Sequence, residues 1–166
     1  MILHLYIVRE KEKEIIVREE MMLTLNEVTE ILRQNKKKVT PQRLAVYAAL
    51  AATREHPTAE ALYKELRPNY PTMSLATVYK SLDAFCEIGI VQELNVGEEA
   101  FRYDADISQH PHVRCVGCDK VVDVPIAALP ALDKNVSSIT GYRVVAQQMY
   151  FFGYCPACQQ SMVGDL

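Results

Sequence analysis

Two cysteine pairs restrict the folds open to this chain more than any other feature of its sequence. Each pair has two residues between its sulfurs, one of them a glycine or a proline, and these residues indicate a tight turn. Both thiols of one turn can reach a single cation, and two such turns together form a closed tetrahedral cage suited to structural zinc. The sequence therefore predicts a structural Zn(II) site with the ligands Cys115, Cys118, Cys155 and Cys158.

Cysteine pairs of this spacing have two other interpretations. Two disulfide bonds are one, and the lack of a secretory signal pattern argues against them. A thioredoxin-type redox motif is the other, but two symmetric pairs in knuckle-like turns fit it poorly. Cys86 lies apart from both pairs, and we interpret it as a small hydrophobic side chain of the core.

The first residues are apolar, but they resemble neither a membrane span nor a secretory signal. MILHLYIV is too short to cross a bilayer, and charged REKEKE follows where a signal would have its small-residue cleavage site. With 166 residues, 49% of them hydrophobic and 23% charged, the chain has a globular composition and room for two small domains. We expect a cytoplasmic protein with no membrane partner, and we assign residues 1–22 to an N-terminal extension in which we expect disorder.

Positive charge is concentrated in one segment, although the net charge of the chain is −3. Residues 31–54 contain six basic side chains and no acidic one. Such a segment produces a local positive potential that can dock on DNA phosphates. A solvated helix end is an equally good interpretation of the charge run by itself.

The first two thirds of the chain have the element order of a winged helix-turn-helix domain. Apolar side chains at helical spacing, preceded by Ser, Thr or Thr-Pro start signals, predict four helices, and two short β-type runs around a Gly-Glu turn follow them. We predict this domain over residues 23–104, with its fourth helix in the DNA major groove, although such domains also dock proteins. The predicted helices cover residues 24–36, 42–53, 59–66 and 75–88, and the predicted strands cover residues 90–95 and 100–103.

The fourth helix has an apolar face and an outward face near its N-terminus. Leu75, Val78, Leu82 and Phe85 share the apolar face, which we expect to be buried. Lysine can bind a guanine or a phosphate, and threonine or tyrosine offers a hydroxyl and apolar surface for a thymine methyl. The predicted DNA-binding residues are Ala76, Thr77, Tyr79 and Lys80 of the outward face, and Arg43 of the basic segment.

Residues 105–166 are predicted to form a small second domain that contains both cysteine pairs. Strands are expected over residues 111–115, 121–124 and 142–154, with a helix over residues 126–139 between the second and the third. The predicted fold class is therefore α+β, a winged helix-turn-helix domain followed by a small α/β domain with a four-cysteine zinc site.

Histidines and aspartates form a second candidate metal site. His110 and His112 are two residues apart on a predicted strand, so both side chains project from one face, and Pro111 between them predicts an edge strand. Imidazole and carboxylate ligands together suit Fe(II), Mn(II), Co(II) or Zn(II), whereas surface polar residues around a hinge are the plainer interpretation. The candidate regulatory ligands are His56, Asp104, His110, His112 and Asp123.

Residues 23–158 resemble the ferric uptake regulator family. Within it the chain is most similar to the peroxide-responsive repressors, whose regulatory site of three histidines and two aspartates matches the five candidate ligands. An acidic residue in place of Asp123 is usually Glu in the iron-sensing branch, and Lys80 stands where relatives usually have Arg or Asn. The resemblance rests on Thr40–Arg43, His56–Ala59, Ser74–Tyr79, Phe101–Asp104, His110–His112 and the two cysteine pairs.

The resemblance implies a homodimer, held by the C-terminal domains, that binds palindromic double-stranded DNA when the regulatory site is filled. With Fe(II) in that site, peroxide would oxidise His56 or His110 and release the DNA, whereas with Mn(II) repression would persist. Peroxide is then the only small molecule that acts on the protein.

Two other functions remain as alternatives. One is an iron-, manganese- or zinc-responsive regulator of metal uptake that does not sense peroxide, since these regulators share ligand types. The other is a metallohydrolase, but no general base or substrate-binding signature accompanies the His/Asp cluster. We therefore expect that the protein is not an enzyme.

Overall fold

The structure is a computed structural model that describes residues 6–10, 13–17, 22–97, 100–125 and 132–163. The chain divides into two compact units. Residues 20–108 form the first, called here the helical unit, and residues 109–166 together with residues 1–19 form the second, the sheet unit. The domain boundaries inferred from the sequence stay predictions. Within the described residues, no helix is long and apolar enough to cross a membrane.

Two strands pair in the N-terminal extension, where we expected disorder. Strand β1 covers Tyr6–Glu10 and strand β2 covers Lys13–Val17, and they run antiparallel with Tyr6 opposite Val17. Both segments are rich in β-branched residues, which favour strands, and the sequence interpretation gave that composition too little weight.

Four helices make up most of the helical unit: α1 (Leu25–Gln34), α2 (Pro41–Ala51), α3 (Ala59–Leu66) and α4 (Leu75–Glu87). Each begins directly after a threonine or serine whose hydroxyl accepts a hydrogen bond from a backbone N–H of the first turn. Helix α4 ends before Gly89, whose φ of +73° is unfavourable for side-chain-bearing residues. The helices predicted for this region are confirmed.

The helices enclose one apolar core. Val78, Leu82 and Phe85 of α4 are fully buried, as the apolar face of the fourth helix predicted, while Leu75 is half-buried. The ring of Phe85 meets the ring of Tyr47 from α2 edge to face, with centroids 5.7 Å apart. The core thus fixes α4 against the helices that precede it and leaves its outer face available.

A two-stranded wing follows α4. Strand β3 (Gln92–Leu94) pairs antiparallel with strand β4 (Arg102–Asp104), and both are shorter than the sequence predicted. The outer side of β4 meets the segment before α3, where the Tyr103 N–H donates to the Pro57 carbonyl at 3.1 Å. This pairing draws the end of the wing against the residues just before α3.

Besides β1 and β2, the sheet unit has a three-stranded sheet of order β6-β5-β7, formed by β5 (His112–Cys115), β6 (Val121–Asp123) and β7 (Tyr150–Gly153). Strand β6 runs antiparallel and β7 parallel to β5. The prediction of an edge strand from Pro111 is wrong, because β5 is the central strand. Pro111 stands before its first residue and accepts a hydrogen bond from the Val124 N–H, so its missing N–H costs no ladder bond.

Two helices complete this unit, and both differ from the sequence prediction. Helix α5 covers Leu132–Thr140, while the first part of the helix predicted over residues 126–139 lies outside the described residues. Helix α6 (Pro156–Val163) was not predicted, although proline is a favourable first residue of a helix. The strand predicted over residues 142–154 is confined to its last residues, because only there does the chain pair with β5.

Candidate metal centres and DNA-reading face

The four cysteines of the two pairs come together in the sheet unit. Cys115 ends β5, Cys118 lies in the following turn, Cys155 follows β7, and Cys158 lies in the first turn of α6. Their sulfurs all lie within 4.8 Å of one another, and the Cys118 and Cys155 sulfurs are 3.7 Å apart. Zinc–sulfur bonds of about 2.3 Å in a tetrahedron put sulfurs roughly 3.8 Å apart, so the cluster fits a zinc ion. All five cysteines are free, which speaks against the disulfide interpretation.

Electrostatics and sterics at the cluster also fit a cation. The Cys155 N–H donates to the Cys115 sulfur at 3.2 Å and lowers the pKa of that thiol to about 6. Hydrogen bonds to the neighbouring sulfurs, that of Cys155 first, raise the pKa of Cys158 to about 12, because they stabilise its protonated thiol. A Cβ at Gly117 would lie 3.1 Å from the Cys158 sulfur, so a larger residue there would crowd this candidate ligand.

The helical unit contributes one histidine and one aspartate of the second candidate site. His56 Nε2 lies 3.5 Å from Asp104 Oδ2, and both residues are buried. The second carboxylate oxygen of Asp104 accepts a hydrogen bond from the Asp106 N–H at 2.8 Å, which orients the group. His56 has a φ of +49°, and Arg102 Nη1 donates to its carbonyl at 3.3 Å. A non-glycine residue in this region carries strain that the surrounding contacts must hold.

The sheet unit contributes the other three candidate ligands. His110 Nε2 and His112 Nε2 lie 3.0 and 3.5 Å from the same oxygen, Asp123 Oδ1. The sheet register explains this geometry, since His112 of β5 stands opposite Asp123 of β6. Both histidines are buried, and the two rings are 4.3 Å apart. The burial of both histidines argues against the interpretation of these three residues as surface polar side chains.

The outward face of α4 carries the side chains predicted to read DNA. Ala76 and Lys80 are exposed, and Thr77 and Tyr79 are half-buried. The Thr77 hydroxyl lies 2.9 Å from the hydroxyl of the capping Ser74. The Tyr79 hydroxyl donates a 2.5 Å hydrogen bond to Oε1 of Glu60, in the first turn of α3. This contact lowers the pKa of the Glu60 carboxyl and raises the pKa of the Tyr79 hydroxyl.

Arg43 has a structural role that the sequence did not reveal. Its guanidinium donates to the Lys38 carbonyl at 2.7 Å and to the Lys80 carbonyl of α4 at 3.5 Å. It therefore ties the start of α2 to α4. Its contact with DNA stays a prediction, as do the contacts of Ala76, Thr77, Tyr79 and Lys80.

Sequence comparison relates most of the chain to known proteins. The profile of the ferric uptake regulator family matches residues 34–152. A transcriptional regulator named PerR from Clostridium acetobutylicum is 50% identical over 135 residues, which cover 81% of this chain and 98% of the relative. The peroxide-responsive repressor PerR of Staphylococcus saprophyticus is 38% identical over 128 residues, which cover 77% of this chain and 86% of the relative.

Solved structures of the same kind share the fold. The peroxide stress regulator of Campylobacter jejuni has a TM-score of 0.63 and 31% identity, over 82% of this chain and all of its own. The ferric uptake regulator of Helicobacter pylori has a TM-score of 0.68 over 85% of this chain and 97% of its own. Its 21% identity supports likeness of fold only.

Proposed function

The chain belongs to the ferric uptake regulator family, and from that premise we propose that it is a metal-dependent transcriptional repressor of the peroxide-responsive branch. The observation that carries the proposal is the presence of two chemically distinct donor sets. One set consists of four thiols and suits structural zinc, and the other consists of three buried imidazoles and two carboxylates and suits a redox-active or exchangeable ion. The protein is proposed to act by binding DNA and not by catalysis.

The thiol set would hold the structural zinc ion. Its ligands join the end of β5, the end of β7 and the start of α6, segments that lie far apart in the sequence. A zinc ion bound there would link these elements in a unit whose described residues include few buried hydrophobic side chains.

The imidazole and carboxylate set would hold the regulatory ion, Fe(II) or Mn(II). We propose that the pair His56 and Asp104 from the helical unit and the trio His110, His112 and Asp123 from the sheet unit bind one ion. An ion with ligands from both units would fix the angle between them, and in a dimer it would set the spacing of the two reading helices on DNA. Binding of the ion would then favour the DNA-binding arrangement by its higher affinity for that arrangement.

Exposed apolar side chains of the sheet unit support a homodimer. Ile139, Tyr142 and Val145 are 84%, 77% and 85% exposed, and Phe152 is 58% exposed. No described residue of α5 is buried. Large apolar side chains exposed to this extent within a short stretch of chain favour an interface, and pairing of two sheet units would cover them.

Peroxide sensing would act through the histidine ligands. Fe(II) held by these residues would supply the redox chemistry that activates peroxide beside the imidazoles. In the net change, one oxygen atom of peroxide is added to the ring of His56 or His110, and the other leaves as water. The oxidised ring is a poorer ligand, so the ion and then the DNA would be released.

The test uses the full chain loaded with zinc and a palindromic duplex selected from a random-sequence pool in the presence of Mn(II). We would measure binding by fluorescence anisotropy with Fe(II) or Mn(II), before and after micromolar peroxide. The expected result is loss of binding in the Fe(II) sample alone, with the mass of one oxygen atom added to a peptide that contains His56 or His110. Binding that needs metal but ignores peroxide would instead identify a regulator of metal uptake, which the same donor types would also serve.

A further inference from the structure

The contact between Glu60 and Tyr79 joins two helices at the surface proposed to face DNA. Glu60 lies in the first turn of α3, and Tyr79 lies in the second turn of α4, 19 residues later. Ala76 and Lys80 are exposed on the same part of α4. The bond therefore restrains a side chain of the reading face by means of a residue outside the reading helix.

The direction of this hydrogen bond follows from the charge of the carboxylate. The pKa of Glu60 lies below its usual value, so the group is ionised at neutral pH and has no proton to donate. The pKa of the Tyr79 hydroxyl is raised, so that group keeps its proton. Tyrosine has a single hydroxyl proton, and this proton is directed at Glu60 rather than toward DNA.

We propose that Glu60 is a specificity-determining positioning residue, which holds the ring of Tyr79 in one orientation on α4 so that the ring, and not the hydroxyl proton, contacts a base. The inference rests on the proposed DNA-binding function and extends it to a residue of α3. A free tyrosine could donate its proton to a phosphate or a guanine and would discriminate poorly between bases. A fixed ring presents apolar surface at one place, where it can contact a thymine methyl.

Glu60 can affect DNA binding in two ways, through its negative charge and through the position of Tyr79. A carboxylate at this surface weakens attraction to phosphates, so its removal by itself raises affinity for every duplex alike. A positioning role has a different effect, since it changes the preference at one base pair of each half-site and not at the others. The two effects are separable by comparing affinities across a set of duplexes.

The experiment measures binding of the full Mn(II)- and zinc-loaded chain to the selected duplex and to variants with one base pair changed or one thymine replaced by deoxyuridine. Wild type is expected to discriminate about tenfold at one base pair per half-site, the size of an ordinary base-specific contact. Glu60→Ala should reduce the discrimination at that base pair to about twofold. Tyr79→Phe should have the same effect, because it also removes the bond between the two side chains.

Two further variants separate positioning from charge and from folding. Glu60→Gln retains an oxygen that accepts the tyrosine proton and should keep the wild-type discrimination. Glu65→Ala removes the same charge from an exposed position of α3 and should change affinity equally for all duplexes. The double variant Glu60→Ala/Tyr79→Phe should discriminate no worse than either single variant, since both remove one interaction. Circular dichroism melting checks that each variant is folded.

Several outcomes would overturn the inference. One is a Glu60→Ala variant whose affinities all shift together, as in Glu65→Ala. Another is loss of discrimination in Tyr79→Phe but not in Glu60→Ala, which would show that the hydroxyl contacts DNA directly. If wild type selects no duplex with metal bound, the proposed function fails and this inference fails with it, whereas the first two outcomes leave DNA binding intact.

Discussion

The two units of this chain are stabilised in different ways. Among the described residues, all but two of the buried hydrophobic side chains lie in the helical unit, and the exceptions are Cys115 and Val121. The sheet unit instead exposes much of its apolar surface and collects four thiols around one point. A small unit whose described residues bury so few apolar groups is expected to gain stability from a metal ion or a partner. The comparison indicates that burial stabilises the helical unit, and we propose that zinc and dimerisation stabilise the sheet unit.

Of the substitutions considered, removal of a thiol of the four-cysteine site is expected to have the largest effect on the stability of either unit. Zinc bound by four thiolates contributes on the order of 10 kcal/mol to folding in small domains. Cys158→Ser should therefore unfold the sheet unit and leave the helical unit folded, as measured by amide hydrogen exchange along the chain. Cys86→Ala, in the helical unit, is the control and should leave exchange in the sheet unit unchanged. Loss of protection in both units at once for Cys158→Ser would contradict the comparison.

Truncation of the helical core is the converse experiment. Phe85 is fully buried against Tyr47, and Phe85→Ala should lower the free energy of unfolding of the helical unit by about 3–5 kcal/mol. Phe101 is 46% exposed in the same unit, and Phe101→Ala should cost less than about 1 kcal/mol. Urea unfolding followed by circular dichroism measures both. Equal effects of the two substitutions would mean that burial does not account for the stability of this unit.

A charge on the exposed surface of the sheet unit tests the role of the partner. Ile139→Lys places an ammonium group on a residue that is 84% exposed, near the end of α5 where a cation suits the helix dipole. Dimer dissociation should increase by about 30-fold, as for a central interface residue. Sedimentation velocity measures the monomer fraction, and Phe101→Lys serves as the matched substitution in the helical unit. An unchanged dimer would place the interface elsewhere.

The smallest effect is expected at a strained residue of the helical unit. Lys36 follows the end of α1 with a φ of +57°, a conformation that glycine adopts without strain. Lys36→Gly should raise the free energy of unfolding by roughly 0.5–1 kcal/mol, in the helical unit alone. Lys38 lies two residues later and does not have a positive φ, so Lys38→Gly should not raise the free energy of unfolding. Thermal melts of the two variants measure the difference, and an equal or lower melting temperature for Lys36→Gly would contradict the prediction.

Local signals explain why the helical unit was predicted well. A capping hydroxyl and a Pro or Gly act within a few residues, so Thr40, Thr58, Ser74 and Gly89 define helix ends without knowledge of the fold. The four cysteines were recognisable for the same reason, because each pair is a short motif. The histidine and aspartate candidates came from spacing and from position at element ends, and the family resemblance then matched all five.

Features that depend on distant pairing were predicted less well. Strand β7 pairs with β5 from about 40 residues away, and this pairing makes β5 central despite Pro111. The bonds of Arg43 to α4 and of Glu60 to Tyr79 also arise from helix packing. The sequence within a few residues of Arg43 or Glu60 does not predict these contacts, so they are seen only in the folded structure.

Strand β5 carries a candidate ligand of each metal centre, His112 at its start and Cys115 at its end. Successive side chains of a strand alternate between its faces, so these two, three residues and roughly 10 Å apart, project from opposite sides of the sheet. A short-lived oxidant formed beside His112 would therefore meet the peptide backbone before it met a thiolate. If the proposed peroxide chemistry takes place, the sheet would separate the oxidised imidazoles from the thiol site and would protect the bound zinc.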